Sequence, residues 1–231
     1  RAKTLDKAQS WLSKALDYRF KDAALLQQAL THRSAQGPNN ERLEFLGDAV
    51  LDFVISEALF KARPDLPEGD LSKLRSSLVK DTSLAALAAD LGLGMHLILG
   101  GGEQKSGGHR RESILADALE AIFAAVFLDS GIDAAKDMIE HVYADRLANL
   151  PDVDELRDPK TRLQEWLQAR KMELPVYDLV SVSGQEHKRR FEVSCVIEEA
   201  EITTKGTSTT RRKAEQMAAA RMLSEITQVT T

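Results

Sequence analysis

The segment at residues 40–51 reads NERLEFLGDAVL and is the most informative stretch of the chain. Glu41, Glu44 and Asp48 are spaced at i, i+3 and i+7, so they share one face of a helix. Most residues between them are apolar, and carboxylates in such a setting are costly to bury unless a positive charge compensates them. A divalent cation compensates them well, because Mg²⁺ prefers hard oxygen ligands. The segment therefore predicts a helix that brings acidic groups to a metal site.

A second acidic pair lies in another apolar segment, ESILADALEAIFAAVFL at residues 112–128. Asp117 and Glu120 are spaced at i, i+3, which places their Cβ atoms about 5–6 Å apart on a helix. Two buried helices of this kind can pack so that their carboxylates converge. Such a cluster suits one or two Mg²⁺ ions and the hydrolysis of phosphodiester bonds.

The alternative for both acidic groups is a solvated helix face or a set of salt bridges. No Lys or Arg lies between Arg42 and Lys61, and none lies in residues 113–135. Local basic partners are therefore mostly missing from both segments. This favours the metal site over the salt bridges.

Charge and cysteine content restrict the partners and the compartment. The net charge is −5, but residues 156–231 carry 13 Lys and Arg against 11 Asp and Glu, whereas the rest carries 18 against 25. The C-terminal part is therefore the better candidate for binding a polyanion.

The single cysteine, Cys195, excludes an internal disulfide and fits a reducing compartment. With no apolar run of 18 residues and no secretory signal, we expect a cytoplasmic protein that does not bind a membrane. The chain starts at Arg1, so we also expect that some N-terminal residues are missing.

Apolar spacing divides the chain into two domains joined by a short linker. We expect helices at 5–16, 21–31, 41–61, 68–79, 81–91, 112–129 and 133–147, with a glycine-rich break at 100–108. Residues 161–170 and 211–227 predict two more helices, and 176–183, 190–197 and 201–205 predict strands. The expected fold is an all-α N-terminal domain at 1–150, a linker at 151–157 and a small α+β domain of order α-β-β-β-α at 158–231.

Several motifs resemble those of one known family. Residues 40–51 resemble the signature of ribonuclease III, and PEGDLS at 67–72 and the stretch 105–117 resemble further blocks of that family. DPKTRLQE at 158–165 resembles the opening of a double-stranded RNA-binding domain, and 206–216 resemble its basic closing helix. One departure is the pair Thr209 and Thr210, where the family often has Ser. The length and the two-domain layout resemble the bacterial form.

The resemblance implies roles for individual residues. The residues that match the family's catalytic acids are Glu41, Glu44, Asp48, Glu68, Asp117 and Glu120, and those that match its metal ligands are Glu44, Asp48, Asp117 and Glu120. The residues that match RNA contacts are Thr161, Gln164, Glu165, Gln168, His187, Arg211, Arg212 and Lys213. Phe45 matches an aromatic residue that inserts into a socket on the partner subunit, although packing within one core is an alternative for it.

By this resemblance, the chain is expected to be an endonuclease domain followed by a double-stranded RNA-binding domain. It would cleave double-stranded RNA with Mg²⁺, or with Mn²⁺ in its place, as a homodimer. The products would carry 5′-phosphate and 3′-hydroxyl ends with short 3′ overhangs, and the substrates would include ribosomal RNA precursors and other structured transcripts.

Two other classes of protein remain open. One is a non-catalytic protein that binds duplex RNA, and a cleavage assay with Mg²⁺ separates it from an enzyme. The other is a metal-dependent nuclease that acts on DNA or on single strands. The polar stripe of Thr161, Gln164 and Gln168 favours A-form RNA, whose wide minor groove displays 2′-hydroxyls.

Overall fold

The computed structural model describes residues 2–185 and 188–229, which form two compact units. The first unit covers residues 1–151 and the second covers 152–231. Within the described part of the chain, none of the helices is both long and apolar enough to cross a membrane. The domain boundaries expected from the sequence, at 150 and 158, stay a prediction.

The first unit is built from helices, with one isolated parallel bridge between Thr31 and Ile98 in its described part. Its helices are α1 (Ala2–Leu16), α2 (Ala23–Ala29), α3 (Glu41–Ala62), α4 (Glu68–Val79), α5 (Asp81–Asp90), α6 (Gly101–Lys105), α7 (Glu112–Ser130), α8 (Ile132–Val142) and α9 (Ala144–Ala148). Short 3₁₀ turns at Leu93–His96 and Gly108–Arg110 connect α5, α6 and α7.

Helix α7 is the central element of this unit. Every residue from 114 to 126 is buried except the two acids, Asp117 and Glu120, which are only partly covered. The helix is rich in alanine and leucine, which favour helix formation and allow neighbouring helices to approach closely. Helices α2, α3, α5 and α8 pack around it. The predicted buried acidic helix is therefore present, and it is the core of the unit.

The second unit is an α+β fold of the expected order. After a single helical turn, α10 (Val153–Leu156), come α11 (Pro159–Ala169), β1 (Val176–Ser183), β2 (Arg190–Ile197), β3 (Ile202–Ser208) and α12 (Arg211–Val229). The strands form an antiparallel sheet of order β1-β2-β3 across the described residues. Leu163 and Leu167 from α11 and Ala218 and Met222 from α12 are fully buried against the sheet. The predicted fold class is confirmed for both units.

Two expectations about individual segments were wrong. Residues 133–147 do not form one helix, because α8 ends before the buried Tyr143, whose hydroxyl donates to the Leu78 carbonyl at 3.3 Å, and α9 starts after it. The glycine-rich segment at 100–108 is not a plain break, since it contains α6. The linker expected at 151–157, which contains the helical turn α10, stays a prediction.

Candidate metal centre and nucleic-acid surface

Helices α3 and α7 touch at Gly47, which allows their backbones to come close together. A Cβ atom added to Gly47 would overlap the backbone carbonyl of Glu120. Only glycine fits this position without a shift of one helix. Because Gly47 lies between Glu44 and Asp48 in sequence, the close approach brings both ends of the acidic motif beside Glu120.

Three carboxylates converge at this crossing. Glu44, Asp117 and Glu120 each offer an oxygen atom, and these atoms lie within 4.8 Å of one another. Glu120 is more deeply buried than the other two. Hard oxygen donors at this separation are a suitable ligand set for Mg²⁺ or Mn²⁺. The residues present therefore fit a divalent cation.

The raised pKa values of the clustered acids also indicate a site for a cation. Burial raises the pKa of Glu120 to about 8, and repulsion from Asp48, Glu44 and Asp117 adds to the effect. Burial also raises the pKa of Glu44 and of Asp117, with further contributions from neighbouring acids. Clustered carboxylates of this kind gain free energy from binding either protons or a cation.

The other acids expected at the site are placed differently. Asp48 is exposed and lies outside the group of three, although its charge acts on both Glu120 and Glu44. Glu41 is held by Arg33 at 3.7 Å and accepts a hydrogen bond from Asn39 Nδ2 at 3.0 Å. Glu68 is exposed at the start of α4 and accepts a hydrogen bond from Ser72 Oγ at 2.8 Å.

A cavity of about 710 Å³ opens beside the acids and contains basic groups as well. Glu44 and Asp117 line it together with His32, Arg33 and Arg111. The His32 ring is fixed by a 2.8 Å hydrogen bond between its Nδ1 and Ser34 Oγ, which also accepts from the Gly100 N–H at 2.9 Å. Arg111 pairs with Glu103 at 2.9 Å. The cavity therefore offers positive groups next to the candidate cation ligands.

Sequence reasoning missed some residues of this site. Asp81, the first residue of α5, acts on both Asp117 and Glu120, whose pKa values it helps to raise. Its position after the break at Lys80 belongs to no motif, so only the packing of α5 on α7 reveals it. His32 belongs to none of the sequence motifs either, and the structure places it in the cavity wall.

The first helix of the second unit presents a polar face. Leu163 and Leu167 point into the core. The predicted RNA-contacting residues on the same helix are all exposed, namely Thr161, Gln164, Glu165 and Gln168. The helix thus separates a buried apolar face from a polar face that is open to a large ligand.

The predicted basic cluster begins the last helix. Arg211, Arg212 and Lys213 are exposed there. The Arg211 side chain also pairs with Glu215 at 3.0 Å, one turn along the helix. Exposed N–H groups at a helix start add to the attraction for phosphate. The remaining predicted RNA contact, His187, lies outside the described residues.

Phe45 is not a core residue of the unit. Its side chain is 81% exposed, and Phe53 and Phe60 on the same helix are 58% and 71% exposed. With 100° between successive residues, these three positions fall on one side of α3. We call them the phenylalanine strip. Exposed apolar side chains that are grouped in this way mark an interaction surface more often than single ones do.

Comparison with known proteins identifies both units. A family model described as ribonuclease-III-like matches residues 22–147, and the double-stranded RNA binding motif matches residues 159–226. Ribonuclease 3 of Alkalilimnicola ehrlichii is 54% identical, covering 93% of this chain and 94% of that protein. Ribonuclease 3 of Dechloromonas aromatica is 53% identical, and the match covers 93% of this chain and 97% of that protein.

A solved structure agrees with these matches. The nuclease domain of ribonuclease III from Campylobacter jejuni superposes with a TM-score of 0.57 at 47% identity. The match covers 58% of this chain and 95% of the Campylobacter jejuni chain. That solved structure shows flexibility in a region of the nuclease domain that is involved in dimer formation.

Proposed function

Because the chain belongs to the ribonuclease III family and is an endoribonuclease of double-stranded RNA, we propose that it cleaves RNA with Mg²⁺ at the cluster of Glu44, Asp117 and Glu120. The main support for this proposal is that three carboxylate oxygens from two packed helices lie within 4.8 Å of one another. Asp48 completes the proposed ligand set from the solvent side. Mn²⁺ substitutes for Mg²⁺, since both accept carboxylate oxygens.

Held by Glu44, Asp117 and Glu120, a cation would supply an activated water molecule and would offset charge on the phosphate and on the leaving 3′ oxygen. The chain's own residues do the rest. Glu44, Asp117 and Glu120 fix the position of the positive charge and stay ionised when it is present. Arg33 and Arg111, in the wall of the adjacent cavity, bind phosphate oxygens of the RNA backbone. Glu41 and Glu68 belong to the same catalytic surface but lie further out.

The second unit holds the duplex and gives the enzyme its preference for A-form RNA. The polar face of α11 enters a wide minor groove, where uncharged side chains can bond 2′-hydroxyls. Arg211, Arg212 and Lys213 contact phosphates across the neighbouring major groove. His187 is proposed to enter the next minor groove. We assign the nuclease domain to residues 1–150, the linker to 151–157 and the RNA-binding domain to 158–231.

The enzyme works as a homodimer, with the phenylalanine strip covered by a second copy. Cutting both strands of a duplex requires two active sites, which a symmetric pair provides. An exposed aromatic residue such as Phe45 is the usual anchor of such an interface. Products carry 5′-phosphate and 3′-hydroxyl ends with short 3′ overhangs. Ribosomal RNA precursors and other structured transcripts in the cytoplasm are the proposed substrates.

The decisive experiment is cleavage of a labelled RNA duplex by Glu120→Gln with Mg²⁺. We expect duplex binding close to that of the unchanged protein and a loss of cleavage of at least a hundredfold. Glu112→Gln is the matched control, because Glu112 is exposed at the start of the same helix. Full cleavage by Glu120→Gln would contradict the proposed site. A duplex of DNA and a single-stranded RNA, tested alongside, address the alternative nuclease substrates.

A further inference from the structure

Asn40 carries a buried amide nitrogen that has no hydrogen-bond partner. The residue is only 2% exposed, and its Nδ2 atom is shielded from solvent. A buried donor left unsatisfied costs about 1–3 kcal/mol. Asparagine at this position usually caps the helix, but the Asn40 side chain makes no cap hydrogen bond. Helix formation therefore does not explain the burial of this side chain.

The preceding residue already serves the helix start. Asn39 Oδ1 accepts a hydrogen bond from the Glu41 N–H at 3.2 Å, and Asn39 Nδ2 donates to the Glu41 carboxylate. Asn40 itself has helical backbone angles, and its carbonyl accepts from the Glu44 N–H at 2.8 Å. The backbone of Asn40 therefore already follows the helical repeat of α3, with 100° between successive side chains.

This spacing places Asn40 in the same row as two acids. Asn40, Glu44 and Asp48 stand at i, i+4 and i+8, so they follow one another along one face of α3. Asn40 and Glu44 also line the same cavity, together with Asp117. Because solvent does not reach Nδ2, an incoming phosphate oxygen does not reach it either. The Glu44 carboxylate, one helical turn away on the wall of the same cavity, is an acceptor in the right row of α3.

We propose that Asn40 is a positioning residue for Glu44, and that its Nδ2 donates to one carboxylate oxygen of Glu44 when a divalent cation occupies the site. The second oxygen then faces the cation. This rests on the proposed function, since it assumes that Glu44 is a metal ligand. Carboxylates that bind metals are themselves held by hydrogen bonds, and removing such a bond weakens metal binding about 10–100-fold. The proposed bond gives the buried donor the partner that it otherwise lacks.

The test is calorimetric titration of the 231-residue chain with Mn²⁺ after treatment with a chelator. Asn40→Leu keeps the branching at Cγ and the number of side-chain heavy atoms, and it removes the donor. We expect it to bind Mn²⁺ about 10–100-fold more weakly, while thermal unfolding without metal occurs at an equal or higher temperature. A residue that only supports the fold would show lower thermal stability and unchanged Mn²⁺ affinity.

Asn40→Ser covers the case in which the leucine variant does not fold. Its hydroxyl can cap the helix but is too short to reach across a turn, so we expect the same loss of affinity. Asn39→Ser is the matched control and should bind Mn²⁺ like the unchanged protein. Affinity within threefold of the unchanged protein in both Asn40 variants, or an equal loss in the control, overturns the assignment of Asn40. A lack of Mn²⁺ binding by the unchanged protein overturns the proposed function and this inference with it.

Discussion

Replacing Glu120 with glutamine should make the metal-free protein more stable at alkaline pH. In the folded protein burial raises the pKa of Glu120 to about 8, whereas the ordinary value is 4.5. The folded state therefore favours the protonated acid. Stability from this group is complete below pH 4.5 and is lost as the pH rises towards 8, where the folded state must hold a buried charge. Glutamine stays neutral throughout, so the variant escapes this loss.

The size of the effect follows from the same pKa. One pKa unit corresponds to about 1.4 kcal/mol, so the difference between 4.5 and about 8 sets an upper limit of about 5 kcal/mol. The carboxylate cluster borders an open cavity, and solvent screening there reduces the effect. We expect a gain of about 2 kcal/mol in the free energy of unfolding at pH 8.5 and almost none at pH 4.5. For a unit of this size, the gain corresponds to about 4–8 °C in melting temperature.

The assay is thermal unfolding between pH 4.5 and 9 in the presence of a chelator, followed by circular dichroism at a helix wavelength. The melting temperatures of the two proteins should diverge as the pH rises. Glu112→Gln, from the exposed start of the same helix, should follow the unchanged protein at every pH. Parallel curves for the unchanged protein and Glu120→Gln would show that Glu120 ionises normally, and the electrostatic reasoning for the cluster would be wrong.

Three further results are expected. Gly47→Ala should lower the free energy of unfolding by about 1–3 kcal/mol or more, because the added Cβ has no room between the helices. Chemical denaturation measures this loss. The control is Gly69→Ala, which lies at an open helix position and should change the free energy of unfolding little. The double variant Arg211→Ala with Lys213→Ala should weaken binding to all RNA duplexes alike and reduce the salt dependence of the affinity by about two phosphate contacts in a filter-binding assay; a change in sequence preference at constant salt dependence would contradict this. Phe45→Glu should shift the protein towards monomers in sedimentation at low micromolar concentration, and a folded variant that remains dimeric would exclude the phenylalanine strip as the interface.

Local signals in the sequence were sufficient for most of the fold. The apolar spacing of residues 112–128 and the acids within it predicted both the central helix and its unusual pair of carboxylates. The alternation of residues 176–183 and 190–197 predicted β1 and β2 at their observed bounds. The central helix and β2 bury apolar residues of their own. Strand β1 is exposed along almost its whole length and is held in place by its pairing with β2.

Other features depend on contacts between distant segments, which a single sequence does not display. The break between α8 and α9 accompanies the burial of Tyr143 beneath the Leu78 carbonyl. The influence of Asp81 on the acids exists only because α5 packs on α7. The unsatisfied nitrogen of Asn40 depends on the side chains that bury it, and a single sequence does not give their positions.

The same repulsion that destabilises the cluster of carboxylates would supply part of the free energy of the proposed cation binding. Glu44, Asp117 and Glu120 are held together by apolar packing on both helices and by the close contact at Gly47, so they cannot separate to relieve their mutual repulsion. A cation that binds only the folded protein stabilises it in proportion to the logarithm of its concentration over the dissociation constant. At neutral pH protons compete for Glu120, so each cation that binds must displace part of a proton. The helix crossing thus links three properties of this enzyme, namely its stability, its response to pH and its proposed dependence on a divalent cation.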